Sequence, residues 1–187
     1  CSLEMAAGEL AGRALQTITR EAFAGLPVWF AESAELHRMM GQIRAAVRIH
    51  RVGLVAVDYL GLIESPRERN ANRAEQVAAI TRSFKLLARE VQVPILLGCQ
   101  LNRAAEHRDR PALSDLRESG AIEQDADIVI LIHSPGGEQD SSRELIVAKH
   151  RGGPCGKIDA EFNGPQFAFA DQTVDISWLS NLGSSAE

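Results

Sequence analysis

The chain is poor in cysteine, in aromatic side chains and in positive charge, and each shortage narrows what it can be. Its three cysteines, Cys1, Cys99 and Cys155, form an odd, scattered set with no CxxC pair among 187 residues. Such a set offers neither a disulfide frame nor a zinc site, and predicts reduced thiols in a cytoplasmic protein. Aromatics make up 5% of the residues and the net charge is −5. A surface coated in positive charge is thereby excluded, whereas a basic lining confined to one loop or channel is not. No signal peptide and no apolar run of spanning length occurs, so a soluble protein with no membrane partner is expected. The length suits one domain with ample core, and neither repeats nor a long linker interrupt it. The first residue is Cys1 and not methionine, which predicts a fragment of a longer chain.

What is present is an alternation of helical stripes with short apolar runs. Residues 6–24 carry a stripe through Leu10, Ala14, Ile18 and Ala22, and residues 34–49 one through Leu36, Met39, Met40, Ile43 and Val47. A third stripe, Val77, Ile80, Phe84, Leu87 and Val91, predicts a helix over 73–91. Between the helices lie apolar runs at 28–30, 54–57, 94–99 and 127–133. The run at 54–57 is apolar on both faces, as in a strand covered by helices on either side. Residues 113–118 predict a short helix with Ser114 as its N-cap, 134–142 a Gly-rich turn, and 144–149 with 157–162 an antiparallel pair. A last edge strand is expected at 167–169, and residues 171–187 read as a disordered tail. Alternating helices and strands that end in a meander define an α/β fold with a mixed sheet.

Three strand ends carry polar groups: Asp58, Gln100 and Asp127. A carboxylate at the carboxyl end of a buried strand lies where open α/β sheets bind ligands. This is the layout of a Walker B acid, although many buried strands end in Asp at a loop.

The segment LNRAAEHRDRPALSDLRESGAIEQDADIVIL, with SLEM near the start and AKHRGGPCG at residues 148–156, closely resembles the DnaB-type replicative helicases. Residues 1–170 would then be a partial RecA-like motor domain, with a mainly parallel sheet flanked by helices and closed by an antiparallel meander. The resemblance implies ATP and Mg²⁺ as cofactors, single-stranded DNA as ligand, a homo-oligomeric ring, and primase and a helicase loader as partners. By the same resemblance Glu4 activates the attacking water, Asp58 holds Mg²⁺ through water, and Gln100 senses the γ-phosphate. Arg151 and Lys149 would serve a neighbouring subunit's ATP, with Arg151 as the finger. Arg117, Glu118 and Gly120 match the loop that holds the single-strand backbone in the channel. Arg103, Arg108 and Arg110, interleaved with Glu106 and Asp109, read as a mobile basic loop beside it. With no aromatic platform there, binding should follow the DNA backbone and depend on salt.

One departure is large. No G-x-x-x-x-G-K-[ST] loop occurs in the 187 residues; residues 152–157 come nearest but are one residue short and lead into a strand. Nothing in the chain then cradles the phosphates, and these residues alone are expected to be inactive. A strand preceding that loop would be missing as well, leaving the flank of the sheet open. The segment 14–26 is also shorter than the family's, Gly61 stands where Gln is usual, and Cys99 where Ser is usual. Two readings follow: the motor portion of a replicative helicase, or a phosphate-loop-less module that binds DNA or caps a true ring. A recombinase of the same core class fits the SDLRESGAIEQDAD run poorly.

Overall fold

The computed structural model describes residues 5, 7–14, 25–65, 72–102, 105, 108–116, 119–137, 140–164 and 168–170. In order these form α1 (Ala7–Ala14), α2 (Leu36–His50), β1 (Val55–Val57), α3 (Arg73–Val91), β2 (Ile95–Leu97) and α4 (Ser119–Asp125). Strands β3 (Ile128–His133), β4 (Ser142–His150), β5 (Gly156–Asn163) and β6 (Ala168–Ala170) follow.

Helix α3 is the best specified element. Asn72 and Glu75 form a reciprocal capping box, with the Glu75 N–H donating to Asn72 Oδ1 at 2.9 Å and the Asn72 N–H donating to Glu75 Oε2 at 3.1 Å. Its stripe is buried as predicted through Val77, Ile80, Phe84 and Leu87. Helix α2 buries Leu36, Met39 and Ile43, so its methionines pack instead of ligating. Both helices end on a non-glycine residue in the left-handed region, Arg51 at φ 52° and Gln92 at φ 54°.

The α/β class holds, but among the described residues the strands form two sheets instead of one mixed sheet. β1 and β2 are parallel, in the register Val55↔Ile95, Ala56↔Leu96 and Val57↔Leu97, with α3 as the crossover between them. β3, β4, β5 and β6 follow one another as an antiparallel meander. The physical reason is the connections: a helical crossover permits parallel pairing, while short turns permit only antiparallel pairing. One core joins both sheets, with Val55, Val57, Val129 and Leu131 meeting the buried faces of α2 and α3.

Several local expectations are corrected. Strands β1, β2 and β3 are covered on one face only: Leu54 just before β1, Leu96 of β2, and Ile128, Ile130 and Ile132 of β3 are each more than half exposed. The expected strand at 28–30 does not form. A Val28 N–H to Leu26 O bond of 2.8 Å turns the chain there, Trp29 stacks on His50 at 4.7 Å, and the pairing falls instead on a bridge between Glu35 and Glu64. The helix expected at 113–118 is a 3-10 turn, Leu113–Asp115, and Ser114 lies inside it. Its capping bond comes from the Ala112 N–H to Asp115 Oδ2 at 2.8 Å. The α-helix lies farther on, as α4. Residues 15–24 and 171–187 lie outside the described residues, and with them the second half of the first predicted helix and the predicted tail.

Candidate functional site

The parallel pair brings two of the predicted polar residues to the same end. Because Val57 is in register with Leu97, Asp58 follows β1 beside Gly98, and Gln100 lies two residues beyond it. The Gly98 N–H donates to Val57 O at 2.9 Å and the Leu60 N–H to Gly98 O at 2.9 Å, fixing the two strand ends against each other. Asp58 and Gln100 are both exposed, and Asp58 makes no salt bridge among the described residues. Beside them opens a cavity of about 160 Å³ lined by Tyr59, Arg73, Cys99 and Gln100. Burial pushes the Cys99 thiol up to about 11, so it stays protonated at neutral pH and packs without acting as a nucleophile.

Among the described residues no group of three or more His, Cys, Asp or Glu side chains could enclose a metal ion. A lone exposed carboxylate fits Mg²⁺, which keeps several waters and takes one or two protein carboxylates plus phosphate oxygens. Asp58 is one exposed carboxylate of that kind, at the end of β1.

Asp127 stands at the opposite kind of strand end, immediately before β3, and it lies among cations. Lys85 of α3 bonds its Oδ2, and Arg151 Nη1 lies 3.6 Å from its Oδ1. The bond from Lys85, aided by the Lys85, Arg151 and Lys149 charges, holds its carboxyl below the usual range. Arg151 follows β4 and donates its main-chain N–H to Asp127 O at 2.9 Å and its Nη2 to Gln124 O at 2.8 Å. Lys149 Nζ bonds Glu123 O. A bulge between Val129 and Ile130 leaves Ala148 unmatched and turns the end of β4 toward α4. The two predicted trans-acting cations are therefore together, capping the carboxyl end of α4.

Gly120 lies in the first turn of α4, exposed, and not in a loop as predicted. Only Ile122 in SGAIEQD is strongly apolar, so no stripe announced that helix; Thr81 Oγ1, donating to Asp125 Oδ2 at 2.9 Å, ties it to α3. Glu4, Arg103, Arg117 and Glu118 lie outside the described residues.

The basic loop is less available than its sequence suggests. Arg110 makes a bidentate pair with Glu144, both bonds 3.0 Å, and Lys157 shares the same carboxylate at 2.9 Å. Arg108 stands 3.5 Å from Asp115, which is fully buried. Two arginines assigned to a mobile DNA-side loop are thus latches to the body of the domain. Lys157 first and then Arg110 hold the Glu144 carboxyl below its usual range. Nothing local in the sequence marks Lys85, Asp115 and Glu144, whose partners are Asp127, Arg108 and Arg110.

A depressed carboxyl contributes stability that is present above its unfolded value and is lost as pH falls through its folded value. For Asp127 and Glu144 the contribution is expected to be constant above about pH 5 and to fade only below about pH 4. Carbon-detected NMR titration of the two carboxyls checks this; midpoints at or above the ordinary values would contradict both pairings.

A parallel pair with polar strand ends, helices packed against it and an antiparallel meander form a RecA-like ATPase domain. A solved ATPase domain superposes with a TM-score of 0.76 at 31% identity, over 91% of this chain and 72% of that one. A DnaB-like replicative helicase, described with its interactions with primase, gives 0.75 at 31% identity, over 90% and 49%. The family model for the DnaB-like helicase C terminal domain matches residues 1–171, and the chain belongs to that family. The replicative DNA helicase DnaB of Leifsonia xyli subsp. xyli is 44% identical over 164 residues, 82% of this chain and 35% of the relative. That of Mycobacterium leprae is 45% identical over 143 residues, 68% and 22%. The chain thus spans about a third or less of the length of these relatives. No helix among the described residues is long and apolar enough to cross a membrane.

Proposed function

We propose that this chain is the motor portion of a replicative DNA helicase. It would couple ATP hydrolysis at subunit interfaces to movement on single-stranded DNA and unwinding of the duplex. The observation that carries the reading is the placement of Asp58 and Gln100 side by side at the carboxyl end of β1 and β2. Bound Mg²⁺–ATP supplies the scissile phosphoanhydride and the metal's neutralising charge. Asp58 would hold Mg²⁺ through water, and Glu4 would accept the proton of the attacking water. Gln100, an amide with donor and acceptor, answers the loss of the terminal phosphate. Arg151 and Lys149, at the β4–β5 hairpin, would serve a neighbouring subunit's nucleotide, so the complete protein would act as a ring. Arg117, Glu118 and Gly120, with Arg103, would bind the DNA backbone, while Arg108 and Arg110 serve the fold. Primase and a loader are the partners that the family relation suggests for the complete protein, which would act in the cytoplasm.

The 187 residues contain no phosphate loop, and we infer that alone they do not turn over ATP. The same observation favours a second reading, a non-catalytic module that joins a ring or binds DNA. Turnover of ATP by the full-length protein, with and without single-stranded DNA, separates them. DNA-stimulated hydrolysis, reduced at least tenfold by Asp58→Asn, is the expected result. Hydrolysis indifferent to Asp58 would remove the assignment of this strand end. No hydrolysis by the full-length protein, with assembly into a complete helicase ring, would favour the second reading.

A further inference from the structure

Arg151 is held by its own subunit on two sides. Its Nη2 donates to Gln124 O at 2.8 Å and its Nη1 faces Asp127 Oδ1 at 3.6 Å, while Lys149 bonds Glu123 O. Those carbonyls belong to the last turn of α4, where carbonyl oxygens lack intrahelical partners and cations are favoured. The pose of Arg151 and Lys149 therefore follows the position of α4. The other end of that helix carries Gly120, on the side assigned to DNA. Seven residues at 1.5 Å each make α4 a rod of roughly 10 Å between its Gly120 end and the cations, with Thr81 Oγ1 tying its last residue to α3.

Asp127 is itself divided between two cations. Lys85 of α3 bonds one carboxylate oxygen and Arg151 faces the other. Arg151 and Asp127 are 55% and 57% exposed, so their pairing is of the weak, exchangeable kind. A phosphate in a water-poor subunit interface, taking charge-assisted bonds from a guanidinium, outcompetes such a partner.

We propose that Asp127 is a positioning residue that latches Arg151 in cis, that Lys85 tempers the latch by sharing its carboxylate, and that displacement of α4 from its Gly120 end releases it. This rests on the reading of Arg151 as the group serving a neighbour's ATP. DNA engagement at the Gly120 end would then free the finger, making DNA stimulation of turnover partly the opening of this latch.

The test uses rings of the full-length protein and reads ATP turnover with and without single-stranded DNA. Asp127→Asn keeps the shape and an acceptor oxygen but removes the competing charge. It is expected to raise DNA-independent kcat by about two- to fivefold, to lower the stimulation ratio equally, and to leave KM for ATP unchanged. Lys85→Met leaves Asp127 wholly to Arg151, so it is expected to shift both quantities the opposite way. A merely structural role would move both variants in the same direction. In an Arg151→Ala background, Asp127→Asn should change nothing further. Wild-type basal rate and stimulation in both single variants, with Arg151→Ala inactive, would overturn the latch and leave the finger standing. Full activity of Arg151→Ala would overturn the finger and the latch with it.

Discussion

Replacing Arg151 by alanine is expected to lower ATP turnover of the assembled ring by about 10³-fold or more, while nucleotide binding stays near normal. The expectation rests on the proposed role of Arg151 as the group that serves a neighbour's ATP. Arg151 is not near Asp58 in sequence, and its contacts are with Gln124, Asp127 and their neighbourhood. Asp58 and Gln100 instead share the end of the parallel pair. On the proposed reading Arg151 acts on a neighbour's phosphate across an interface, while Asp58 serves its own subunit's nucleotide. Loss of Arg151 should then remove charge stabilisation that exists in the transition state and leave ground-state affinity to the phosphate-binding groups. Mixed rings make the claim sharper. Subunits carrying Arg151→Ala and subunits carrying Asp58→Asn should each be inactive alone and recover partial turnover when mixed, because some interfaces then join an intact Asp58 to an intact Arg151. Mixed rings as inactive as either parent would place both residues in the same subunit's site.

How much of this was legible in the residues differs by element for physical reasons. Helix α3 could be read from its stripe because Val77, Ile80, Phe84, Leu87 and Val91 recur along one continuous segment; the capping box at its start came only with the structure. The strand ends at Asp58 and Gln100 were visible because a buried apolar run that stops at a polar group marks a sheet edge. Helix α4 was not, since seven residues with one large apolar side chain carry no period; it is held by Thr81 and by the cations of β4. The basic loop misled for the complementary reason. Arg108 and Arg110 look free in a run of charges, and only the fold brings Asp115 and Glu144 to them. One-sided burial of β1 and β3 escaped as well, because an unbroken apolar run says that a strand could be covered twice and not that it is. The roles of Glu4, Arg117 and Arg151 came from family resemblance alone, as no local pattern distinguishes them from solvated surface residues.

Leu87→Ala is expected to destabilise the chain by about 2–5 kcal/mol, and the same change one residue earlier, Leu86→Ala, by less than about 0.5 kcal/mol. The two leucines are adjacent on α3, share helix propensity and differ only in the face they occupy. Leu87 is fully buried in the core shared with Met39, Ile80 and Phe84, whereas Leu86 is 50% exposed. Truncation at Leu87 removes transfer free energy and leaves a cavity that the capped helix, pinned at Asn72 and packed against α2 and α4, cannot close by shifting. A domain of this size has only about 5–15 kcal/mol in total, so the first variant should lose much of its margin. Urea unfolding followed by circular dichroism reads the pair: the midpoint should fall sharply for Leu87→Ala at unchanged slope and stay near wild type for Leu86→Ala. Equal losses would mean that α3 is covered on both sides in solution. The open apolar face of β1, β2 and β3, where Leu54, Leu96 and Ile130 stand more than half exposed, would then be expected to be covered in the same way.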